Sequence, residues 1–245
     1  MGQITIGSCF AGIGGFERGL ERGISNSKTI WQIEQNKYCQ TILQKHWPDA
    51  TIYDDIREID YDKIQTVDII CGGFPCQDIS AAGKGEGIEN GNRSGLWRQM
   101  HRLINHLQPR VAVLENVQAL LWKNRGMHIV LQDLASIGYD AEWCTISARQ
   151  FGAPHLRKRV FVVAYSNSTR AQIPIKRKQS SEQMFRSPSQ KRRSFWDQGE
   201  TKPRVCRVDD GISGRVDRIK ALGNAIVPQC SEYIGRCIWE SGLLD

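Results

Sequence analysis

Apolar residues along the chain fall into short runs with two different spacings. Residues 3–9 (QITIGSC) read as a short strand that stops at glycines, and residues 14–22 follow as a helix. Ile30 to Glu34 reads as a second strand, and residues 36–46 as a helix with Tyr38, Ile42 and Leu43 on one face. The run VDIIC within Thr66 to Cys71, apolar but for Asp68, reads as a buried-type strand. Leu96, Met100, Leu103, Ile104 and Leu107 recur at helical spacing, which predicts an amphipathic helix over 96–107. Arg110 to Leu114 and Val160 to Ala164 are further strands. A helix near 127–137 ends at Gly138, a residue type that readily closes a helix in the left-handed region. Strands alternating with helices predict βαβ units, and hence a mostly parallel α/β sheet with helices on both faces. The regular pattern halts near residue 165 and resumes around 216–240.

Length and composition narrow the class. At 245 residues, with 40% apolar and 24% charged residues, the chain has a globular balance and can bury a core without disulfides, which excludes collagen-like, mucin-like and wholly disordered classes. No run of eighteen apolar residues is present, so no membrane partner is expected. The start, MGQITIGSCF, lacks the basic and apolar regions of a signal peptide. Cysteines 9, 39, 71, 76, 144, 206, 230 and 237 are scattered and include no CxxC pair, which suits free thiols in a reducing cytoplasm and predicts no metal site.

Charge changes the picture more. From Ser166 to Arg204 the chain holds ten Lys/Arg against three Asp/Glu, while the remainder is balanced at 23 of each. The whole net charge of +7 therefore lies in one segment, which is also rich in Ser and Gln and poor in Leu, Val and Ile. Such a segment is either a solvated insert or a nucleic-acid contact strip that gains affinity by releasing counterions.

Candidate chemistry gathers at strand ends. Phe10-Ala11-Gly12-Ile13-Gly14-Gly15-Phe16 follows the first strand, and glycines there let a ligand approach the backbone. A dinucleotide fingerprint starting at Gly12 needs glycine at position 17, where the chain has Glu17, and no GxxxxGK[ST] occurs. The turn therefore favours a nucleoside cofactor without a pyrophosphate cradle. Glu34 ends the second strand, where a carboxylate can accept both ribose hydroxyls, although a solvated surface Glu is the commoner outcome. Cys76 lies just past the VDIIC strand, at the carboxyl end where open α/β sheets bind ligands. It is either a nucleophile or an inert thiol. Residues 81–95, with five glycines, read as a long loop able to close over a site. Glu115-Asn116 ends the strand RVAVL, where apolar walls can raise a carboxyl's pKa. Arg157 and Arg159, two apart on an extended chain, point the same way and suit a clamp on phosphate or carbonyl oxygen.

Taken in order, FAGIGGF, GGFPCQDIS with its GKGEG loop, LENV, HLRKR and ALGNAIVPQ resemble the motifs of the C5-cytosine DNA methyltransferase family, small bacterial or phage type. His155 stands where that family usually has Gln, and RVCRVDDGISGRVDR replaces its penultimate motif. The segment that would hold a target-recognition domain is short. The resemblance implies a Rossmann-like methyltransferase fold with a short variable insert. Residues 1–165 then form the catalytic and cofactor domain, 166–207 a basic recognition-like insert, and 208–245 a return to the catalytic domain. It implies S-adenosylmethionine as cofactor, held by Phe10, Ala11, Gly12, Ile13, Gly14, Glu34, Asp55, Ile56, Pro75, Leu96, Asn224 and Ala225. It implies Cys76 as nucleophile with Glu115, Arg157 and Arg159 as catalytic partners. Gln77, Ser80 and Arg93 then touch DNA, as do Lys191, Arg192 and Arg193 in the basic insert. Double-stranded DNA is the implied partner, with a cognate restriction endonuclease as a further one, and a monomer is expected. Two alternatives follow from the same residues: a tRNA cytosine-5 methyltransferase, and a non-catalytic DNA-binding homologue.

Overall fold

The computed structural model describes residues 2–75, 94–122, 125–167 and 222–245. Among these, seven strands form one sheet in the order β3-β2-β1-β4-β5-β7-β6. β1 (Ile4–Cys9), β2 (Ser27–Ile33), β3 (Thr51–Tyr53), β4 (Ile69–Gly73) and β5 (Val111–Val117) are all parallel. β7 (Lys158–Ser166) lies antiparallel beside β5, and β6 (Tyr139–Ser147) takes the outer edge antiparallel to β7. The described helices are α1 (Gly15–Gly23), α2 (Lys37–His46), α3 (Ser94–Leu107), α4 (Met127–Ser136) and α5 (Pro228–Ser241). This is the expected Rossmann-like sheet, mostly parallel and covered on both faces.

Strand alternation builds the two layers. On β5, Val111 and Val113 face a core with Phe16 and Leu20 of α1 and Ile234 and Ile238 of α5. Ala112 and Leu114 face the opposite core, with Trp97, Met100 and Leu103 of α3 and Val130 and Leu134 of α4. The buried heptad-like face of α3 is the one its apolar spacing predicts. Gly138, with φ of 85°, closes α4 as expected.

Two strands lack a sequence signature. β3 is three residues long, too short to show a period. β6 is an edge strand whose Trp143 is half exposed, so its alternation of buried and exposed positions is blurred.

α1 and α5 approach closely because the facing surface of α1 is glycine. A Cβ on Gly19 would sit 2.3 Å from the Pro228 carbonyl oxygen, and one on Gly23 would sit 2.4 Å from the Glu232 carbonyl oxygen. The C-terminal segment thus returns to the first helix, and it brings residues 223–226 to the mouth of the sheet. From β1 the chain first builds outward to β2 and β3, then crosses to the other side of β1 for β4. At that switch point the segments leaving β1 and β4 diverge and open a crevice at the carboxyl ends of the strands.

No helix among the described residues is long and apolar enough to cross a membrane. Residues 168–221, which include Lys191, Arg192 and Arg193, lie outside the described residues, as do 76–93, which include Cys76, Gln77, Ser80 and Arg93.

Candidate active site

The crevice holds a cleft of about 520 Å³. Its first wall is the turn after β1. Phe10 and Gly12 both have left-handed backbones, with φ of 56° and 57°, and Gly14 follows at 84°. Three such residues in five make a tight turn that needs external support. Hydrogen bonds from β2 and the residue after it supply it. The Ala11 amide donates to the Ile33 carbonyl at 3.1 Å, and the Gly12 amide donates to Glu34 Oε2 at 2.7 Å. The other oxygen, Glu34 Oε1, accepts from the Asn36 amide at 2.8 Å. Glu34 is therefore held rigidly between the glycine turn and the start of α2, with lone pairs left on both oxygens.

The second wall is built by β4, β5 and β7. Gly73 pairs with Glu115 across the sheet, and a Cβ at Gly73 would meet Glu115 Oε2 at 2.8 Å. Glycine at that position makes room for the carboxyl. Glu115 is buried, and its Oε1 accepts from Arg159 Nε at 2.9 Å. Burial pushes the Glu115 carboxyl above its ordinary range, with Arg159 and then Arg157 partly opposing the shift. Asn116 donates from Nδ2 to the Phe74 carbonyl at 3.2 Å, which ties the end of β5 to the chain leaving β4. Pro75, the residue bonded to Cys76, lines the cleft. Of the cysteines nearby, Cys9 and Cys71 are fully buried, and burial drives both thiols far up. Neither has the exposure or the charge environment of a reactive thiolate.

The two arginines line the same cleft but take different partners. β7 begins at Lys158, and Arg157 before it has a left-handed backbone, φ 32°. Its guanidinium donates to the Gly223 carbonyl at 2.8 Å and the Ala225 carbonyl at 2.7 Å, while Arg159 pairs with Glu115.

Of the residues the resemblance assigns to the cofactor, Phe10, Ala11, Gly12, Glu34, Pro75, Asn224 and Ala225 line the cleft. Ile13, Gly14, Asp55, Ile56 and Leu96 do not line it. Gly14 lies under the Trp47 ring, and Ile56 is buried in the core. The Asp55 carboxyl accepts from Arg57 Nε at 3.0 Å and from Gln35 Nε2 at 2.7 Å, and the Arg57 hydrogen bond holds it below the usual carboxylate range. The lining also includes Phe74, Val117 and Ile226, which lie within the motifs without an assigned role, and Ser8, Gln35 and Asn36, whose signal in the sequence is adjacency to the glycine turn and to Glu34.

The donor set suits a nucleoside cofactor bearing a positive rather than a polyphosphate group. Near the glycine turn stand the Glu34 carboxylate and the Phe10 ring. Arg157 and Arg159, the cations lining the cleft among the described residues, are engaged by carbonyls and by Glu115.

Sheet order and a cleft at the switch point define a Rossmann-like methyltransferase fold. The C-5 cytosine-specific DNA methylase model matches residues 4–210, and the chain belongs to that family. It is 32% identical over 168 residues to the Type II methyltransferase M.Bsp6I of Bacillus sp. strain RFL6, covering 67% of this chain and 53% of the relative. It is 36% identical over 167 residues to the Type II methyltransferase M2.BsuMI of Bacillus subtilis strain 168, covering 66% and 42% respectively. The chain thus spans about half the length of such relatives. In fold it is similar to the Entamoeba histolytica methyltransferase EhMeth, with a TM-score of 0.59 at 20% identity over 71% of this chain and 56% of that one. The Schizosaccharomyces (S. pombe) Dnmt2 methyltransferase gives a TM-score of 0.56 at 19% identity, covering 67% and 51%.

Proposed function

We propose that this chain transfers a methyl group from S-adenosylmethionine to C5 of a cytosine flipped out of DNA. One observation carries the reading: the pairing of Gly73 with Glu115 sets the Glu115–Arg159 ion pair beside the chain leading to Cys76, within the cleft whose far wall is the turn held by Glu34.

When bound, S-adenosylmethionine supplies an electrophilic methyl on a sulfonium. Phe10 and Gly12 would form its seat and Glu34 would accept its ribose hydroxyls, with Asn224 and Ala225 closing the seat from the C-terminal segment. C5 of cytosine is a weak nucleophile inside an aromatic ring. The Cys76 thiolate adds to C6, breaking aromaticity and moving electron density to C5. Glu115, whose burial favours the protonated form, donates toward N3 and offsets the charge developing on the ring. Arg159 holds Glu115 in place and faces the base. After transfer a base removes the C5 proton, the C5–C6 double bond re-forms and Cys76 leaves. Extruding the base costs a few kcal/mol, with Gln77, Ser80 and Arg93 as the candidate DNA contacts.

The test is a duplex containing 5-fluorocytosine, whose fluorine cannot leave as a proton. The parent chain with S-adenosylmethionine should form an adduct that survives denaturation, and Cys76→Ser should form none. An adduct with tRNA but not with duplex DNA would move the substrate to RNA. Absence of any adduct, with unmethylated DNA by bisulfite sequencing of expressing cells, would leave a binding homologue.

A further inference from the structure

Beneath the cofactor turn lies a polar pair for which the methyl-transfer reaction has no use. Glu17 in the first turn of α1, Ser8 of β1 and Gln32 of β2 are all fully buried. Gln32 Nε2 donates to Glu17 Oε1 at 3.1 Å. The remaining oxygens of this pair, Glu17 Oε2 and Gln32 Oε1, are both buried and have no hydrogen-bond partner. Both are acceptors if Glu17 is ionised, so neither can satisfy the other, and each is left with its desolvation uncompensated.

The surroundings offer a carboxylate no cation. Facing Glu17 are the Ser8 hydroxyl and the thiols of Cys9 and Cys71. Glu21, one turn along the helix, adds like charge. Arg18 beside it is exposed. On α5, which packs along α1, Glu232 and Arg236 lie against Gly23 and pair with each other.

We infer that Glu17 is a neutral acid joined to Gln32 in a cyclic acid–amide pair, Oε2–H donating to Gln32 Oε1 while Gln32 Nε2 donates back to Oε1, and that this pair positions the cofactor turn. One proton satisfies both orphan oxygens at once. The pair bridges α1 to β2 beside the two bonds that shape the turn, from Ala11 to Ile33 and from Gly12 to Glu34. Ser8 of β1 lines the cleft wall, and its buried hydroxyl is a third polar atom here without a hydrogen-bond partner. Burial pushes the Glu17 carboxyl up to about 7, against the lowering influence of its own backbone amide and of the Ser8 and Gln32 side chains, with the Glu21 charge a smaller contributor to the rise. A raised carboxyl pKa means the folded state holds a proton that the unfolded chain has released. Stability is full below the ordinary carboxylate range and falls as pH rises toward about 7. Above that the acid ionises in the folded protein, the pair opens and the turn loses its brace. Glu17 is thus a positioning residue, acting on the cofactor through the turn. That functional half rests on the S-adenosylmethionine reading; the pair itself does not.

Infrared difference spectra of the whole protein, parent minus Glu17→Gln, isolate the Glu17 carboxyl, because Glu115 is common to both. A protonated-carboxyl C=O stretch should be present below about pH 7 and vanish above it. S-adenosylhomocysteine affinity, measured by titration calorimetry, should fall in the parent by up to about tenfold per pH unit above that point. It should stay level in Glu17→Gln beyond the ligand's own titration, since an amide pair needs no acid. The exchanged variant Glu17→Gln/Gln32→Glu, which moves the acid across the pair, should restore both signals. A missing band in the parent overturns the pair, and a Glu17→Gln variant with the parent's pH profile overturns the positioning role. Failure of the parent to bind S-adenosylhomocysteine at any pH would instead defeat the cofactor reading, and the infrared band would still decide the pair.

Discussion

Glu115 shows how one side chain serves two demands. In the proposed reaction it both pairs with Arg159, at 2.9 Å, and donates a proton to the base. Burial is the largest influence and raises its pKa, and the two arginines moderate the rise without reversing it. Glu115→Gln keeps the volume but cannot give up a proton, so turnover should drop by about 10²–10⁴-fold, measured as single-turnover methyl incorporation. A loss below about tenfold would make the residue structural. Its sign in stability is fixed by the same shift. With a folded pKa above the unfolded one, its contribution is complete at low pH and is lost as pH rises through the raised value, so the Gln variant should melt with a flatter dependence on that side. Arg157 has a different task, since its guanidinium is committed to the Gly223 and Ala225 carbonyls. Arg157→Ala should raise the KM for S-adenosylmethionine by about tenfold, the scale of one charged hydrogen bond, with a smaller change in kcat. Lysine should rescue only in part, because a single ammonium does not match the two-pronged geometry. A fall in kcat at unchanged KM would place Arg157 with the reacting base instead.

At the level of elements, the contact of α1 with α5 sets the position of the C-terminal wall of the cleft. Gly19→Ala should gain about 1 kcal/mol of helix propensity and lose about 1–3 kcal/mol to overpacking. The clash wins, because a Cβ would meet the Pro228 carbonyl oxygen at 2.3 Å and backbone cannot step aside like a side chain. A lower denaturant midpoint at unchanged slope would bear this out; a rise would show that the helices can part. This contact was not legible in the sequence, because glycines spaced four apart at Gly15, Gly19 and Gly23 carry no apolar period to mark a packing face. What was legible follows from burial on both faces: β4 and β5 open on continuous apolar runs, and α3 shows its period plainly. β6 was hidden because an edge strand can leave Trp143 half exposed. The site was legible where chemistry and strand ends coincide, as at Glu34 and Glu115. It was not legible where a side chain takes carbonyls distant in the chain, as Arg157 takes those of Gly223 and Ala225, or where a neighbour claims it, as Arg57 and Gln35 claim Asp55.

For the whole molecule, the balance of charge separates chemistry from grip. Outside Ser166 to Arg204 acidic and basic residues cancel, so the rest of the chain carries no net charge with which to attract a polyanion. The excess of seven lies in the segment between β7 and the C-terminal wall. If that segment holds the DNA backbone, affinity should fall steeply with salt, each neutralised phosphate contributing about 0.9 to the slope of log K against log salt. Neutralising Lys191, Arg192 and Arg193 together should then flatten the slope by about 2–3, weaken binding to all sequences alike and leave S-adenosylmethionine affinity unchanged. The compact Lys-Arg-Arg block favours this outcome, because it lacks the Asn or Gln pairs that read adenine edges within it, although Gln190 and Gln198 stand close by. Binding isotherms on two unrelated duplexes across a salt series decide the matter. An unchanged slope would reduce the segment to a solvated connection. Loss of preference between the duplexes at equal mean affinity would mean that these residues read bases, and that a strip of about forty residues does the work of a recognition domain.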